Sequence, residues 1–466
     1  MNIGVPDRVA AVILAAGAGT RMQSRLPKPL HRLCGRPMID YVIDAADIPS
    51  RAQTILVLSP VLNASDALVA HLQQSLGDQL GIVIQREALG TGDALRCAVP
   101  LIGDADTAIV LFADHPLLTK ARVAELGASL HADAAVVSLL TCIAEDAAGY
   151  GRVERGAGGR VQRIVERKDD SQEHRRGPIE INSGMMAIDT AWLRVAVERL
   201  TPSMSTGEFY LTQLVELAVA DGKHVTSVQG DLSELAGIND RTDLARADAL
   251  MQNVIQRAHE RAGVTLIAPQ TTVIEHGATI GIDTVILPGC MIGTGTVIGS
   301  ECEIGPHSLL TNARIGDRCR IQSSYISDSE VRTDSDVGPF SHIRGGAVIE
   351  SDVHVGNFAE IKNSVLASGV RMGHFGYMGD ASIGQRSNIG AGAVTCNYDG
   401  VAKHRTDVGA DVFIGSDTLL VAPLTVGDGA VTGAGAVVTR DVPPGERVAG
   451  VPARPISKSS GGNKGK

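Results

Sequence analysis

The 466-residue sequence is poor in aromatic side chains, which make up only 3% of it. A globular core must therefore be built from small aliphatic residues. Together with 53 glycines, this favours a parallel or solenoidal β architecture over an aromatic-packed sandwich. Positive charge is not in excess either, since the formal net charge is −10. The sequence therefore argues against binding of polymeric nucleic acid, although local Arg and Lys can still bind a small anion.

Cysteine pairs at metal-binding or redox spacing are missing. The seven cysteines are scattered and never form CxxC, which predicts reduced thiols in a cytoplasmic protein rather than a disulfide framework or a zinc cluster. Long apolar runs are missing too. The run at 9–18 is too short to span a membrane. A signal-peptide core is the alternative for that run, but no clearly basic segment precedes it.

Three regions follow one another along the chain. From residue 8 to 240, aliphatic runs such as VAAVILAAG alternate with helix-like stretches such as VAELGASLHA, which predicts a Rossmann-like α/β fold with a mixed, mostly parallel sheet. Between 241 and 263, apolar residues recur every three or four positions, which predicts a linker helix. We expect domains at 1–240 and 264–456, and a disordered polar tail at 457–466.

From about residue 264 the hydrophobic period is six. Neither an α-helix nor a flat strand has this period. It predicts a parallel β-helix of hexapeptide repeats, with about 18 residues per coil, roughly nine coils, and glycines that permit the corners. The segment TCNYDGVAKHRTD, 395–407, interrupts the pattern, and we expect all of it to protrude as a loop. Seven aliphatic residues keep strict register: Ile274, Ile280, Ile286, Ile292, Ile298, Ile304 and Leu310.

A glycine-rich loop follows the first predicted strand. Gly17, Gly19 and Thr20 can turn backbone N–H groups toward phosphate oxygens, and Arg21 and Lys28 add two positive charges. Such a loop at the carboxyl end of a first strand is where open α/β sheets bind nucleotides. Prolines on both sides of Lys28 fix its backbone, which indicates a placed side chain rather than a solvated charge.

The motifs GxGTRM and LPKPL together resemble the nucleotide-sugar pyrophosphorylase family, and LGTGDA, LFADHPLL, GYGRV, IVERKD, EINSG and AGIND extend the resemblance. It implies a Mg²⁺ site at Asp114 and Asn239, whose oxygens suit a hard cation in a reaction that depends on charge neutralisation. Two positions depart from the family pattern: Ala18 replaces a basic residue, and Ala113 after Phe112 replaces a glycine. The implied contacts of UTP and the nucleotide sugar are Leu14, Ala15, Ala16, Gly17, Gly19, Arg21, Lys28, Gln85, Gly90, Thr91, Gly151, Glu166, Asn182 and Asn239.

The carboxy-terminal motifs RMGHFGYMGD and NIGAGAVTCNYDG resemble the acetyltransferase half of the bifunctional N-acetylglucosamine-1-phosphate uridylyltransferase/glucosamine-1-phosphate acetyltransferase family, whose repeats form a left-handed β-helix. The resemblance implies that His374 is the general base for the attacking amine. Glu360 and Asp399 are candidates for orienting its partners. The implied sugar-phosphate contacts are Arg344, Lys362, Tyr377 and Asn388, and the implied acetyl-CoA contacts are Ala391, Asn397, Tyr398, Ser416 and Ala434.

Two departures concern the carboxy-terminal half. Gly345 replaces a proline that commonly follows the arginine, and Gly450 stands where some members carry an arginine near the coenzyme phosphates. Three other arginines remain as alternatives for that contact: Arg440, Arg447 and Arg454. The family also implies a homotrimer in which the acetyl site is shared between chains.

The resemblance runs from about residue 9 to 455 in one consistent order. It implies acetyl transfer from acetyl-CoA to glucosamine-1-phosphate, then uridylyl transfer from UTP to N-acetylglucosamine-1-phosphate, with the product supplying cell-wall synthesis. One alternative is a pyrophosphorylase for another sugar with a purely structural β-helix, against which His374 and CNYDG count. The other is a non-catalytic nucleotide-sugar sensor, against which the full phosphate and metal set counts.

Overall fold

The computed structural model describes residues 8–17, 19–48, 51–77, 80–146, 150–167, 169 and 176–456. The chain divides into two compact units, Met1–Met251 and Gln252–Lys466, and the boundary falls within one long helix. Ala18 and the expected tail at 457–466 lie outside the described residues.

The described strands of the first unit are β1 (Val9–Leu14), β2 (Arg32–Leu33), β3 (Arg36–Pro37), β4 (Arg51–Leu58), β5 (Leu80–Ile84), β6 (Thr107–Phe112), β7 (Val137–Asp146), β8 (Gly151–Arg155), β9 (Val161–Val165), β10 (Arg176–Asp189) and β11 (Val225–Gln229). Nine of them form a mixed sheet, in which seven follow the order β11-β7-β10-β6-β1-β4-β5, and β2 pairs with β3 in a separate two-stranded sheet. Strand β10 runs antiparallel to β6 and β7, while β1 pairs in parallel with β4 and β6. The helices are α1 (Met38–Ala46), α2 (Pro60–Asn63), α3 (Asp66–Leu76), α4 (Thr91–Ala98), α5 (Lys120–Ala132), α6 (Thr190–Ala196), α7 (Gln213–Ala220), α8 (Leu232–Leu235) and α9 (Arg241–Arg261).

Strand β1 shows why an uninterrupted apolar run becomes a central strand here. Val9, Ala11 and Ile13 point into one hydrophobic core, and the alternate residues point into a second core on the opposite face of the sheet. All six residues are buried, as expected for a strand covered on both sides. The mostly parallel α/β organisation predicted from the alternating runs is therefore confirmed.

The second unit is a parallel β-helix with three faces, whose sheets contain 12, 10 and 9 strands. The first face comprises Thr265–Leu266, Val285–Ile286, Glu303–Ile304, Arg320–Ile321, Asp336–Val337, His354–Val355, Arg371–Met372, Asn388–Ile389, Phe413–Ile414, Val431–Thr432, Arg447–Ala449 and Arg454–Pro455. The second face comprises Val273–Ile274, Met291–Ile292, Leu309–Thr311, Tyr325–Ser327, His342–Arg344, Ala359–Lys362, Gly376–Gly379, Val394–Cys396, Leu419–Val421 and Val437–Val438. The third face comprises Thr279–Ile280, Val297–Ile298, Arg314–Ile315, Glu330–Val331, Val348–Ile349, Val365–Leu366, Ala381–Ile383, Thr406–Val408 and Leu424–Val426.

The six-residue period places one inward aliphatic residue on most strands. Ile274, Ile292 and Leu310 stack on the second face and are completely buried. The glycines of the repeat have two roles. Some, such as Gly289 and Gly305, have positive φ and form left-handed turns as expected, a conformation that residues such as Asp283 also adopt. Gly281 does not have positive φ; a Cβ there would lie 2.5 Å from the backbone of Gly299 one coil later, so this glycine instead allows close stacking of coils.

Two glutamines of α9 satisfy the open end of the first coil. The Gln252 side chain donates to the Ile274 carbonyl at 2.9 Å and accepts from the Ile274 N–H at 3.0 Å, as a neighbouring strand would. Gln256 donates to the carbonyls of Pro269 and Thr272, at 3.0 and 2.7 Å. Both glutamines are buried. The helix thus covers backbone groups that an exposed edge strand would leave unpaired.

The loop that interrupts the coils is shorter than we expected. Thr395 and Cys396 remain in a second-face strand, and Thr406 and Asp407 already belong to the third face. Only residues 397–405, here called the excursion loop, leave the coil. The inward position of Thr395 keeps it in the strand, since its hydroxyl donates to the Gly379 carbonyl and accepts from the Gly379 N–H.

Candidate active sites

The first site forms where β1 and β6 end. The parallel register sets Leu14 beside Phe112, and the Ala113 N–H donates to the Leu14 carbonyl at 3.1 Å. The glycine-rich loop and Asp114 therefore leave the sheet side by side. A cavity of about 490 Å³ opens there. Twelve sequence-predicted residues line it: Leu14, Ala15, Ala16, Gly17, Lys28, Gln85, Gly90, Thr91, Asp114, Gly151, Glu166 and Asn182.

Asp114 is held between two basic side chains. Lys28 Nζ donates to Asp114 Oδ2 at 2.5 Å, and His115 Nδ1 lies 2.9 Å from Asp114 Oδ1. Burial by itself would raise the pKa of Asp114, but the contacts with His115 and Lys28 outweigh it and hold the pKa well below its usual range. The carboxyl group is therefore an anion throughout the neutral range.

Three predicted residues lie outside the cavity lining. Arg21 Nη2 donates to Asn239 Oδ1 at 2.9 Å. The N–H of Ile238 donates to the Asp114 carbonyl at 2.9 Å, so Asn239, the next residue, lies close to Asp114. Gly19 supports Lys28: its φ is +60°, and a Cβ there would lie 2.9 Å from the Lys28 Cβ.

The donor set around Asp114 fits a hard divalent cation. A carboxylate and the amide oxygen of Asn239 are ligands that Mg²⁺ prefers, with water and phosphate oxygens completing its shell. Both donors contact a positively charged side chain here, Lys28 and Arg21 respectively, so each already faces positive charge. Within the described residues no group of three or more His, Cys, Asp and Glu is arranged to hold a metal. A bound Mg²⁺ would therefore depend on its nucleotide for further ligands.

Gln85 is buried and fixed in one orientation. Its amide nitrogen donates to the Gly90 carbonyl and to Asp93 Oδ2, both at 2.9 Å. Because both partners can only accept, the nitrogen is committed and the carboxamide oxygen is the atom that a ligand donor can reach. Gly90 itself has φ +103°, and a Cβ there would lie 2.6 Å from the Phe209 carbonyl oxygen.

The register of β8, β9 and β10 assembles the far end of the cavity. Asn182 pairs with Gly151 across the antiparallel strands, and a Cβ on Gly151 would lie 3.7 Å from the Glu166 carboxyl carbon. Thr212 donates to Glu166 Oε1 at 2.6 Å. The Asn182 side-chain oxygen is buried in the lining without a hydrogen-bond partner. An unpaired buried acceptor is costly and suits a ligand donor.

The second site lies on the second face of the β-helix. Arg344 and Lys362 are register neighbours on adjacent coils. Arg344 Nε donates to Glu360 Oε1 at 2.9 Å. The pKa of Lys362 is lowered, because Lys403 of the excursion loop contacts it and, together with Arg344, repels its positive charge. Three cations therefore converge on an exposed patch, which is the arrangement that binds a dianion.

His374 is exposed at the corner between the first and second faces. Asn388 lies on the first face opposite Arg371, and Tyr377 lies on the second face opposite Glu360, so the three predicted residues surround one corner. The Tyr377 ring lies over Gly379, where an added Cβ would be 2.2 Å from the phenolic oxygen.

The predicted acetyl-CoA residues continue along the His374 corner. The Gly392 N–H donates to the Phe375 carbonyl at 2.7 Å, so Ala391 follows the His374 corner one coil later. The Asp417 N–H then donates to the Ala391 carbonyl, and the Gly435 N–H to the Ser416 carbonyl. Successive coils therefore form a column of three predicted residues: Ala391, Ser416 and Ala434.

The excursion loop carries the remaining predicted residues. Asn397 is buried, whereas Tyr398 is 61% exposed and donates to the Gly400 carbonyl. Asp399 accepts from the N–H groups of Ala402 and Val401 and contacts His404, which together hold its pKa well below the usual range. Asp399 thus shapes the loop, and Glu360 is bound to Arg344.

Comparison with known proteins agrees with both halves of the chain. The family model of the MobA-like NTP transferase domain matches residues 11–146, and that of the bacterial transferase hexapeptide (six repeats) matches residues 271–306. The bifunctional protein GlmU of Pelobacter propionicus is 44% identical over 442 residues, covering 94% of this chain and 95% of the relative. Those of Heliobacterium modesticaldum and Mycobacterium tuberculosis are 41% identical over 437 and 443 residues, covering 93% and 94% of this chain and 94% and 89% of the relatives.

The chain belongs to the GlmU family. It is a bifunctional transferase of UDP-N-acetylglucosamine synthesis, with acetyl-transfer and uridylyl-transfer activities. The hexapeptide match identifies the three-faced coil as the left-handed parallel β-helix that the sequence predicted. Among the described residues, no helix is both long and apolar enough to cross a membrane.

The departures from the GlmU family pattern have local structural counterparts. Ala113 donates its N–H to Leu14, and a Cβ is accommodated in a buried position, so no glycine is required there. Gly345 has φ +63°, a conformation closed to proline, so the corner after Arg344 could not hold the usual proline as it stands. Gly450 follows Ala449, whose strand pairs antiparallel with the one that holds Arg454.

Sequence reasoning missed two parts of the sites. Lys403 lies in the loop that the sequence singled out, but only the fold brings it to Lys362. The segment before α7 lines the first cavity through Glu208, Tyr210 and Thr212, although the sequence predicted only a helix there. A cluster of polar residues before an apolar helical run was the available signal.

Proposed function

We propose that uridylyl transfer takes place in the cavity of the first unit, within domain 1–240, and acetyl transfer at the His374 corner, within domain 264–456, with helix 241–263 joining them. The observation that carries this division is the convergence of Arg344, Lys362 and Lys403 beside that corner. A purely structural β-helix does not require three cations around one patch, and Lys362 and Lys403 are in contact although like charges repel.

At the uridylyl site we assign base recognition to Gln85. The atom of Gln85 that a ligand can reach is its carboxamide oxygen, which is an acceptor. Uracil offers a matching donor, its N3–H, whereas cytosine has an acceptor at N3. The glycine-rich loop at Gly17 and the side chains of Arg21 and Lys28 bind the phosphates of UTP. The space that a Cβ of Gly17 would occupy is open, with no atom within 4 Å, so a phosphate can approach the backbone closely there.

At the far end of the cavity we assign sugar binding to Gly151, Glu166 and Asn182. The unpaired buried oxygen of Asn182 accepts from the sugar, and the Glu166 carboxylate, oriented by Thr212, accepts from a sugar hydroxyl. These contacts align the sugar phosphate for in-line attack on the α-phosphate of UTP, with pyrophosphate leaving.

Asp114 and Asn239 would hold Mg²⁺. When bound, the ion supplies charge neutralisation on the phosphate oxygens of the transferred group. The low pKa of Asp114 keeps its carboxylate ready for a cation. Lys28 and Arg21, which contact these two donors, are then free to bind phosphate oxygens instead.

At the acetyl site, the phosphate of glucosamine-1-phosphate binds Arg344, Lys362 and Lys403, and Tyr377 and Asn388 contact the sugar. His374 takes a proton from the amine as its nitrogen attacks the thioester carbonyl, the C–S bond breaks, and the proton passes to the departing thiolate of coenzyme A. Exposure of His374 leaves its imidazole accessible to substrate.

The coenzyme follows the column Ala391, Ser416 and Ala434, with Asn397 and Tyr398 shaping the acetyl end. Adjacent coils are about 4.8 Å apart, so the three residues mark roughly 10 Å of the path of the pantetheine arm. Of the three arginines that could contact the phosphates, we favour Arg454. It pairs with Ala449 directly before Gly450, whereas Arg447 lies at the other end of the strand that holds Ala449.

We propose a homotrimer in the cytoplasm. Phe340, Phe358 and Phe375 are 60%, 59% and 55% exposed, and the rings of Phe340 and Phe358 stack at 5.3 Å along the corner that leads to His374. Half of the six phenylalanines of the chain lie in this exposed strip, which suits burial against a second copy. Seven free cysteines suit a reducing compartment.

The test is free-thiol release from acetyl-CoA by the purified chain, with and without glucosamine-1-phosphate, for wild type and for His374→Ala. We expect release that requires the sugar phosphate and falls at least about 100-fold in His374→Ala. UDP-N-acetylglucosamine formation from UTP and N-acetylglucosamine-1-phosphate, measured on the same preparations, should not change. No thiol release by a folded, trimeric wild type would contradict the assignment of the acetyl reaction.

A further inference from the structure

Asp380 lies where the excursion loop leaves and rejoins the β-helix. Its carboxylate accepts from Asn397 Nδ2 at 2.5 Å, at the start of the loop. Its carbonyl accepts from the Thr406 N–H at 3.2 Å, just after the loop ends. Its own N–H donates to the Lys362 carbonyl at 3.1 Å. One residue thus connects both ends of the loop to the strand that carries the phosphate-binding lysine.

The carboxylate of Asp380 also orients Asn397. Asp380 can only accept hydrogen bonds, so it selects the amide nitrogen of Asn397 and turns the amide oxygen away. Asn397 is buried, and its carbonyl accepts from the His404 N–H at 2.7 Å, which closes the base of the loop. The Asn397 side chain therefore has one preferred orientation, with its oxygen available to an N–H of the bound substrates.

The charge of Asp380 faces the two lysines of the second site. Burial by itself would raise the pKa of Asp380, but hydrogen bonds from Asn363 and Asn397 and the charges of Lys403 and Lys362 lower it. The carboxylate therefore stays ionised and reduces the repulsion between the lysines across the loop.

We propose that Asp380 is a positioning residue for acetyl transfer, holding Asn397 and the excursion loop in the geometry that the reaction requires. The proposal rests on the assignment of the acetyl reaction to the His374 corner. It does not make Asp380 a catalytic residue, because Asp380 acts through Asn397 and the loop.

The β-helix contains a matched control three coils earlier. Asp328 takes the same left-handed corner conformation, with φ +48° against +51° for Asp380, and accepts from Asn312 Nδ2 at 2.8 Å. Asp380 accepts from Asn363 in the same way at 2.6 Å. No excursion loop starts at Asp328, so a change there reproduces the corner contact without the contact to Asn397.

The experiment compares Asp380→Asn with Asp328→Asn in the full chain. An amide at 380 has one acceptor oxygen for these two donors, so it cannot keep the contacts with Asn363 and Asn397 as they are and no longer fixes which way Asn397 faces. We therefore expect kcat for acetyl transfer to fall about 10-fold. Removing one negative charge near the lysines should leave KM for glucosamine-1-phosphate unchanged or lower. Asp328→Asn should change neither constant, and uridylyl transfer should stay at the wild-type rate in both variants.

A double-mutant cycle with Asn397→Ala separates positioning from general damage. If Asp380 acts through Asn397, Asp380→Asn should have little further effect on kcat in the Asn397→Ala background. Additive effects, equal losses in Asp328→Asn, or a rise in KM without a fall in kcat would overturn the proposal. Absence of acetyl transfer in the wild type would instead overturn the proposed function, so the two failures are distinguishable.

Discussion

In the first unit, residues from the ends of β1 and β6 and from the middle of β10 converge on a cavity, whereas in the second unit the site residues follow one exposed corner of a repeating coil. The cavity is completed by side chains of one chain, including Glu166 and Thr212 at its far end. The corner leaves His374 and an adjacent strip of phenylalanines open. This difference teaches that one chain can combine a site lining a cavity with a site on an exposed corner of a repeating coil.

The sharpest way to separate the two regions is Asp114→Asn. The change removes the anion that would hold the divalent cation, and it leaves Lys28 without its acceptor charge. We expect uridylyl transfer to fall by about 1,000-fold and thiol release from acetyl-CoA to stay unchanged. Loss of both activities, measured at equal protein folding by circular dichroism, would contradict the division between the two sites.

Next in size is a stability difference between the units. Gln252→Ala leaves the backbone of Ile274 without its side-chain partners, and we expect the free energy of unfolding of the second unit to fall by about 2 kcal/mol. Glu260→Ala, an exposed substitution on the same helix, should change it by less than about 0.5 kcal/mol. Urea unfolding followed through acetyl transfer and uridylyl transfer separately would measure both.

Gly379→Ala tests how the open corner positions an aromatic side chain. The added methyl group would overlap the Tyr377 ring, so the ring must move, and we expect KM for glucosamine-1-phosphate to rise about 10-fold. In a Tyr377→Ala background the same change should add little. A full 10-fold increase in that background would show that the methyl group acts elsewhere.

The smallest effect concerns pH. The pKa of Lys362 is lowered, chiefly by the contact with Lys403. As the pH rises, kcat/KM for glucosamine-1-phosphate should therefore begin to fall at a pH below the ordinary pKa of lysine. Above its lowered pKa, Lys362 is neutral and binds phosphate more weakly. Lys403→Met should move this decline to higher pH while lowering the plateau. If the alkaline decline in kcat/KM stays at the same pH in Lys403→Met, Lys403 does not lower the pKa of Lys362. The pH profile of uridylyl transfer serves as the control.

Much of the fold followed from the periodicity of the sequence. The uninterrupted apolar run of β1 fits only a strand that is covered on both faces. The six-residue period that includes Ile274, Ile292 and Leu310 fits only inward positions of a coil. The sequence located the excursion loop but predicted it to be too long. Thr395 is polar and so resembles a loop residue, but its hydroxyl hydrogen-bonds inside the coil and the residue stays in a strand.

For the sites, motifs identified most of the candidate residues, but not their partners. Twelve of the predicted nucleotide and metal residues line one cavity, because the sheet sets the segments that follow β1, β5 and β6 near Asn182 in the middle of β10. The contributions of Lys403 and Asp380 depend on contacts between segments that are separated along the chain. No local pattern records such a distance.

The sequence by itself determined the two architectures, because the hydrophobic period and the length of the apolar runs are local properties of the sequence. They fix the type of each element without reference to distant residues. It also determined the family, through motifs whose residue types suit phosphate, metal and amine chemistry. Only the tertiary structure decided which polar side chains meet: Lys28 with Asp114, Lys403 with Lys362, and Asp380 with Asn397. Those pairings depend on coil and sheet register, which sets residues far apart in sequence within hydrogen-bonding distance.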